Sequence, residues 1–200
     1  IAVVCIMFAN VKENFLICKM IRIVFFLIIL ALFSCTSNRQ KLDLKINRFE
    51  RTLFLINESN IEVISEELAE NFGTFNEVFT SQIMQKGNLT NKQYLQELID
   101  FTHHKDMREA YDSVDVLFAD FTALEKELEL AFWQFSDYFP SYPVPEITTF
   151  FGGFNYGVVT YDDNIAIGLE NFLGENSKYY QLLGSPQYLR FQKQKKFISS

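Results

Sequence analysis

The stretch Pro140-Ser141-Tyr142-Pro143-Val144-Pro145-Glu146-Ile147-Thr148-Thr149-Phe150-Phe151-Gly152-Gly153 divides the chain into two kinds of pattern. Its prolines break helices, because each lacks an N–H and crowds the preceding turn. Glu146 to Phe151 is rich in the β-branched and aromatic residues that suit a strand, and the glycine pair turns the chain. Downstream, Val158 to Tyr161, the polar turn Asp162-Asp163-Asn164 and Ile165 to Leu169 read as strand, turn and strand. Upstream, apolar residues recur at helical spacing. Asn60 opens Ile61 to Phe72, with Gly73 as a left-handed stop. Thr74 with Glu77, Thr90 with Gln93 and Thr122 with Glu125 have the spacing of capping boxes. The last opens a helix through Leu124, Leu128, Ala131, Phe132 and Phe135 that ends before Pro140. Lys178 to Leu183 and Pro186 to Lys196 predict two short helices. The expected fold is α+β, a helical N-terminal layer packed on a small, mainly antiparallel sheet.

The composition supports one such domain. Two hundred residues with 48% hydrophobic content, 22 Phe and 9 Tyr carry enough apolar surface for a packed core. The 8 Gly and 4 Pro argue against a low-complexity chain. A net charge of -7 and a pI near 4.9 lack the basic footprint that phosphate-backbone binding needs, so no nucleic acid is expected as a partner.

Working back to the N-terminus, the chain begins with Ile, which suggests a fragment or a frame extended upstream. Eleven consecutive apolar residues, Ile23 to Phe33, follow Met20-Ile21-Arg22 and end at Ser34-Cys35. A spanning helix takes about 20 apolar residues and a signal-peptide core roughly 7 to 15, so residues 1–34 read as a signal peptide with an upstream extension. Leu32-Phe33-Ser34-Cys35 looks like a bacterial lipobox, whose cysteine thiol receives the lipid before cleavage. Residues 35–43 are then a lipidated tether and 44–200 a single α+β domain. Cys5 and Cys18 precede the cut, so the mature chain keeps only an acylated Cys35 and forms no disulfide. It carries 15 basic against 24 acidic residues, a net of -9.

Catalytic patterns are sparse. The two histidines, His103 and His104, are adjacent and diverge by roughly 100° on a helix, unlike the i, i+4 pair that chelates zinc. Asp162, Asp163 and Asn164 lack the distal Glu of a calcium loop and read as a solvated turn. Gly152-Gly153 lacks the Lys and Ser/Thr of a phosphate loop, and the acidic pairs on helices read as solvated faces. Neither a metal nor a cofactor is expected. The aromatic band Phe132, Trp133, Phe135, Tyr138, Phe139 and Tyr142 is the most distinctive patch. Phe132, Phe135 and Phe139 are expected in the core, while Trp133 and Tyr142 are candidates for a partner surface. Gly168 and Glu170 join them from the Ile165–Gly174 block, where Gly168 permits close backbone approach and Gly174 a positive φ.

Phe33-Ser34-Cys35, Ile46-Asn47-Arg48-Phe49-Glu50, Asp137-Tyr138-Phe139-Pro140, Glu146-Ile147-Thr148, Ile167-Gly168-Leu169-Glu170-Asn171-Phe172-Leu173-Gly174, Tyr179-Tyr180 and Pro186-Gln187-Tyr188-Leu189 together resemble the gliding motility lipoprotein GldB family of Bacteroidetes-type bacteria. In that family Asp is usual at position 170 and Tyr at 172, and the chain normally continues past residue 200, so a C-terminal truncation is expected. The resemblance implies a cell-envelope protein anchored to a membrane through its N-terminal lipid, facing the periplasm and supporting gliding as an interaction or assembly component. Its implied partners are proteins of the gliding or type IX secretion machinery. The order of helices, strand, Gly-Gly turn and strands also faintly resembles zincin-like metallopeptidases, which would make the chain an extracytoplasmic hydrolase or its inactive relative, with any metal site beyond residue 200.

Overall fold

The computed structural model describes residues 42, 44–86 and 91–199. Residues 1–34, Cys35 and Thr90 lie outside them. Leu44 is buried ahead of the short strand β1 (Ile46–Arg48), which passes directly into the one-turn helix α1 (Phe49–Leu53). Helix α2 (Ile61–Val78) follows. It consists of two helical segments joined across Gly73, whose positive φ of 41 (ψ -117) ends the first segment where the sequence places a stop; the second segment begins directly after it and runs on into a π-helical turn over Phe79–Ile83. Asn60 does not cap α2. Its side chain ties down the preceding turn, accepting from the Asn57 N–H at 2.7 Å and donating to the Leu55 carbonyl at 2.9 Å.

Helices α3 (Asn91–His103) and α4 (Lys105–Leu117) meet at His104, whose extended backbone separates them. Nothing at its start has capping-box spacing, and α4 was not expected. It is held by its buried stripe of Ala110, Tyr111 and Val114, together with Phe118 just beyond it. Helix α5 (Thr122–Tyr138) is opened not by the Thr122 hydroxyl but by Asp120, whose carboxylate accepts the Thr122 N–H at 2.9 Å.

The last third builds the sheet from β2 (Ile147–Phe150), β3 (Val158–Tyr161) and β4 (Asn164–Gly168). Its order is β1-β2-β4-β3. The β3–β4 hairpin is antiparallel around Asp162, which adopts φ 47. However, β4 lies between β3 and β2, and pairs with β2 in parallel. β1 also joins β2 in parallel, matching Ile46 to Ile147 after the whole helical region. The sheet is therefore mixed, with two parallel pairings, rather than mainly antiparallel. Hairpins are local and readable, whereas parallel pairing requires a long crossover that leaves no local signal.

The core is largely aromatic. Phe49 meets Phe72 and Phe75 edge-on at 5.1 and 5.0 Å, and Phe54 stacks on Tyr111 at 3.8 Å. Edge-to-face contacts of this kind add to the area they bury. β2 is buried along its full length, with α1 packed against it. The C-terminal stretch adds a 3-10 turn (Leu169–Phe172), helix α6 (Lys178–Leu182), the single turn α7 (Gln187–Arg190) and a second 3-10 turn at Lys195–Phe197.

Candidate interaction surface

Helix α5 buries Leu124 and Leu128, and Phe132 is half-buried against the core. Beyond it the helix outruns the core. Phe135 is 36% exposed, Phe139 50% and Tyr138 81%, so the expectation that Phe135 and Phe139 fill the core is corrected. The helical period continues there, but no neighbouring layer among the described residues covers its last turn. The rings pack on one another instead. Phe135 lies 4.9 Å from Phe139, and Tyr142 stands edge-on to both at 6.5 and 6.2 Å.

The chain after α5 fixes this cluster against the β3–β4 hairpin. The Tyr142 N–H donates to the Phe139 carbonyl at 3.1 Å, and Pro143 and Pro145 stiffen the descent to β2. The Glu146 N–H donates to Asn164 Oδ1 at 2.9 Å, tying the end of the loop to the hairpin turn. The result is a groove of about 410 Å³ lined by Phe132, Phe135, Tyr142, Pro143 and Pro145 on one side and by Thr160, Asp162, Asp163, Asn164 and Ile165 on the other. The sequence offered the two walls as separate features, an aromatic band and a solvated turn. Only the Asn164–Glu146 bond and the sheet order bring them together.

Of the expected contact residues, Tyr142 lies in the groove and is 65% exposed. Trp133 is half-buried on another face of α5, and its carbonyl accepts the Ser136 hydroxyl at 2.8 Å. Gly168 and Glu170 are wholly buried, so neither presents a surface to a partner. They organise the interior instead. A Cβ on Gly168 would stand 2.2 Å from the Tyr156 carbonyl oxygen, a distance no side chain tolerates. Glu170 Oε1 accepts the N–H groups of Gly152 at 2.7 Å and Phe154 at 3.1 Å, holding the turn of the glycine pair, where Gly153 has φ 72. Its Oε2 is buried with no hydrogen-bond partner. Burial pushes the Glu170 carboxyl up to about 7, against the pull of those N–H donors, with the Glu50 carboxylate adding a smaller upward push. Glu50 itself is buried beside Arg48 Nε at 2.5 Å and the Thr149 hydroxyl at 2.8 Å.

Around Glu170, Asn171 Nδ2 donates to the Tyr156 carbonyl at 3.0 Å, and Lys193 Nζ donates to Asn171 Oδ1 at 2.9 Å. The buried Tyr180 hydroxyl donates to the Glu170 carbonyl and accepts the Leu173 N–H, both at 2.9 Å. Gly174 adopts φ 99, as its place in the sequence predicts. The Ile165–Gly174 block is thus a buried clasp on the Gly152–Gly157 loop.

A second cleft of about 400 Å³ opens over Gly152 and Gly153, with Lys86, Glu97, Asp100 and His104 at its rim. Lys86 and Glu97 are paired at 3.1 Å. His103 lies on α3 with Nδ1 3.1 Å from the Ile99 carbonyl, and His104 lies between helices. Among the described residues no group of three or more His, Cys, Asp or Glu is placed to hold a metal ion, and no helix is long and apolar enough to cross a membrane.

The geometry defines an α+β domain with a buried polar clasp and an exposed aromatic groove. The chain belongs to the family described as gliding motility protein GldB, whose model matches residues 34–200, so it is a gliding motility lipoprotein associated with the cell envelope. No curated protein and no solved structure matches it, and the faint zincin likeness is not confirmed.

Proposed function

We propose that this protein acts in gliding as a docking or assembly component, held to a membrane by lipid on Cys35 and facing the periplasm, with the α5 groove as its contact face. The observation that carries this reading is the exposed cluster of Phe135, Tyr138, Phe139 and Tyr142. A monomeric surface rarely leaves so much contiguous aromatic area in water, and aromatic residues set on a rigid support are the usual anchors of protein interfaces. The partners on this reading belong to the gliding or type IX secretion machinery. Cys35 follows the apolar run Ile23–Phe33 with only Ser34 between, and lies inside the stretch that the family model matches.

The test combines two variants with one measurement of membrane-bound protein. Cys35→Ser should abolish incorporation of radiolabelled fatty acid. Phe139→Ala with Tyr142→Ala, both at exposed positions, should stop spreading on agar while acylation and membrane-bound abundance stay normal. Normal spreading of the aromatic double variant at normal abundance would remove the groove from the function.

A further inference from the structure

Several aromatic rings of this fold, buried and exposed, stand close to the chain's own cations. Arg48 lies 4.7 Å from the Phe121 ring centroid, Lys195 5.1 Å from that of Phe118 and Lys193 5.0 Å from that of Tyr180. Lys178 faces Tyr179 at 5.1 Å, and Lys196 faces Phe191 and Phe197 at 5.4 and 5.1 Å. The groove differs from them. No lysine or arginine among the described residues stands over Phe132, Phe135, Phe139 or Tyr142. On the opposite wall Asp162 and Asp163 are exposed and form no ion pair among the described residues, although nearby Glu146 is held by Lys45 at 3.4 Å. Aromatic faces on one side and two unneutralised carboxylates on the other form a receptor for a cation, which a ring attracts through its quadrupole and a carboxylate through its charge.

We infer that the groove receives a basic, arginine- or lysine-bearing segment of a protein partner, with a cationic side chain set between Tyr142 and the Asp162–Asp163 turn. The proline-stiffened loop and the Asn164–Glu146 bond hold both walls in place before the partner arrives, which lowers the ordering cost of association. The net charge of -9 after removal of residues 1–34 favours approach of such a segment. The inference rests on the docking reading and specifies the chemistry of the partner.

The experiment titrates the full chain with fluorescent hexa-arginine, and in parallel with hexa-glutamate and a neutral oligosaccharide. Only hexa-arginine should bind, and more weakly as salt is raised. Asp162→Asn with Asp163→Asn should weaken it about tenfold, and Tyr142→Ala about fivefold. Glu66→Gln with Glu67→Gln, an equal loss of charge on α2, should change it by less than about twofold. Unaltered thermal midpoints would show that these exposed substitutions leave the fold intact. Failure of hexa-arginine to bind, equal weakening by the two double variants, or binding of the oligosaccharide alone would overturn the inference. If hexa-arginine failed to bind while the aromatic double variant still lost spreading, docking would stand and the basic partner would fall.

Discussion

Replacing Glu170 by Gln tests the buried clasp through its protons. In the fold the carboxyl titrates near 7 rather than at its ordinary 4.5, because it is wholly buried and only Oε1 is satisfied. The folded protein therefore holds a proton that the unfolded chain has released by pH 4.5 to 7. The stabilisation is complete below about pH 4.5 and is lost as pH rises through 7. The interval between the two values corresponds to about 3 kcal/mol. Glutamine keeps the carbonyl oxygen that accepts from Gly152 and Phe154 and cannot ionise, so the variant should lack this loss. Urea midpoints of both proteins, taken at intervals from pH 4.5 to 8, should nearly coincide at the acid end and diverge upward, leaving Glu170→Gln the more stable at pH 8. Exposed carboxylates held low by their neighbours, such as Glu109 beside Lys178 and Asp120 beside the Thr122 N–H, titrate alike in both chains and cancel in the difference. Parallel curves across the range would refute the argument, because they would mean that Glu170 is ionised at the same pH folded and unfolded.

Two further outcomes follow from packing. Gly168→Ala should destabilise by about 3 kcal/mol, since its methyl group has the Tyr156 carbonyl in its way, and cells should show less membrane-bound protein with a matching loss of spreading; unchanged abundance would show that the loop yields. Phe79→Ala, at a fully buried ring 4.7 Å from Phe49, should cost about 3 to 5 kcal/mol by denaturant melting, whereas the half-open Phe135→Ala should cost about 1 kcal/mol. Equal costs would mean that Phe135 is buried after all.

The elements that were legible in the sequence carried local signals. The proline run, the glycine pair and the β3–β4 hairpin each state their geometry within a few residues. Helix α4 shows what a capping search misses. Met107, Ala110, Tyr111, Val114 and Phe118 have helical spacing, but His104 before Lys105 provides no side-chain acceptor for the first turn, so periodicity alone would have found it. The groove had no signature of its own. Period 3.6 continues through Phe135 and Phe139 whether or not a layer lies opposite, and only the end of the core decides which rings face water. The strand order was out of reach for a related reason, since Ile46 and Ile147 find each other across the entire helical region.

That pairing also sets how the domain answers to force. On the docking reading proposed above, a pull from an anchor at Cys35 enters at the N-terminal end of β1, and a partner seated on Tyr142 pulls just ahead of the N-terminal end of β2. Because the strands run the same way, both tensions meet at one end of the ladder and peel it rung by rung instead of shearing all its hydrogen bonds together. The fastening lies at that end. Lys45 pairs with Glu146 at 3.4 Å, Asn47 Nδ2 donates to the same carboxylate at 3.2 Å, and the Ile147 N–H donates to the Lys45 carbonyl at 3.1 Å. On that reading, the first rung to be strained is the one that also has side chains bonded across it.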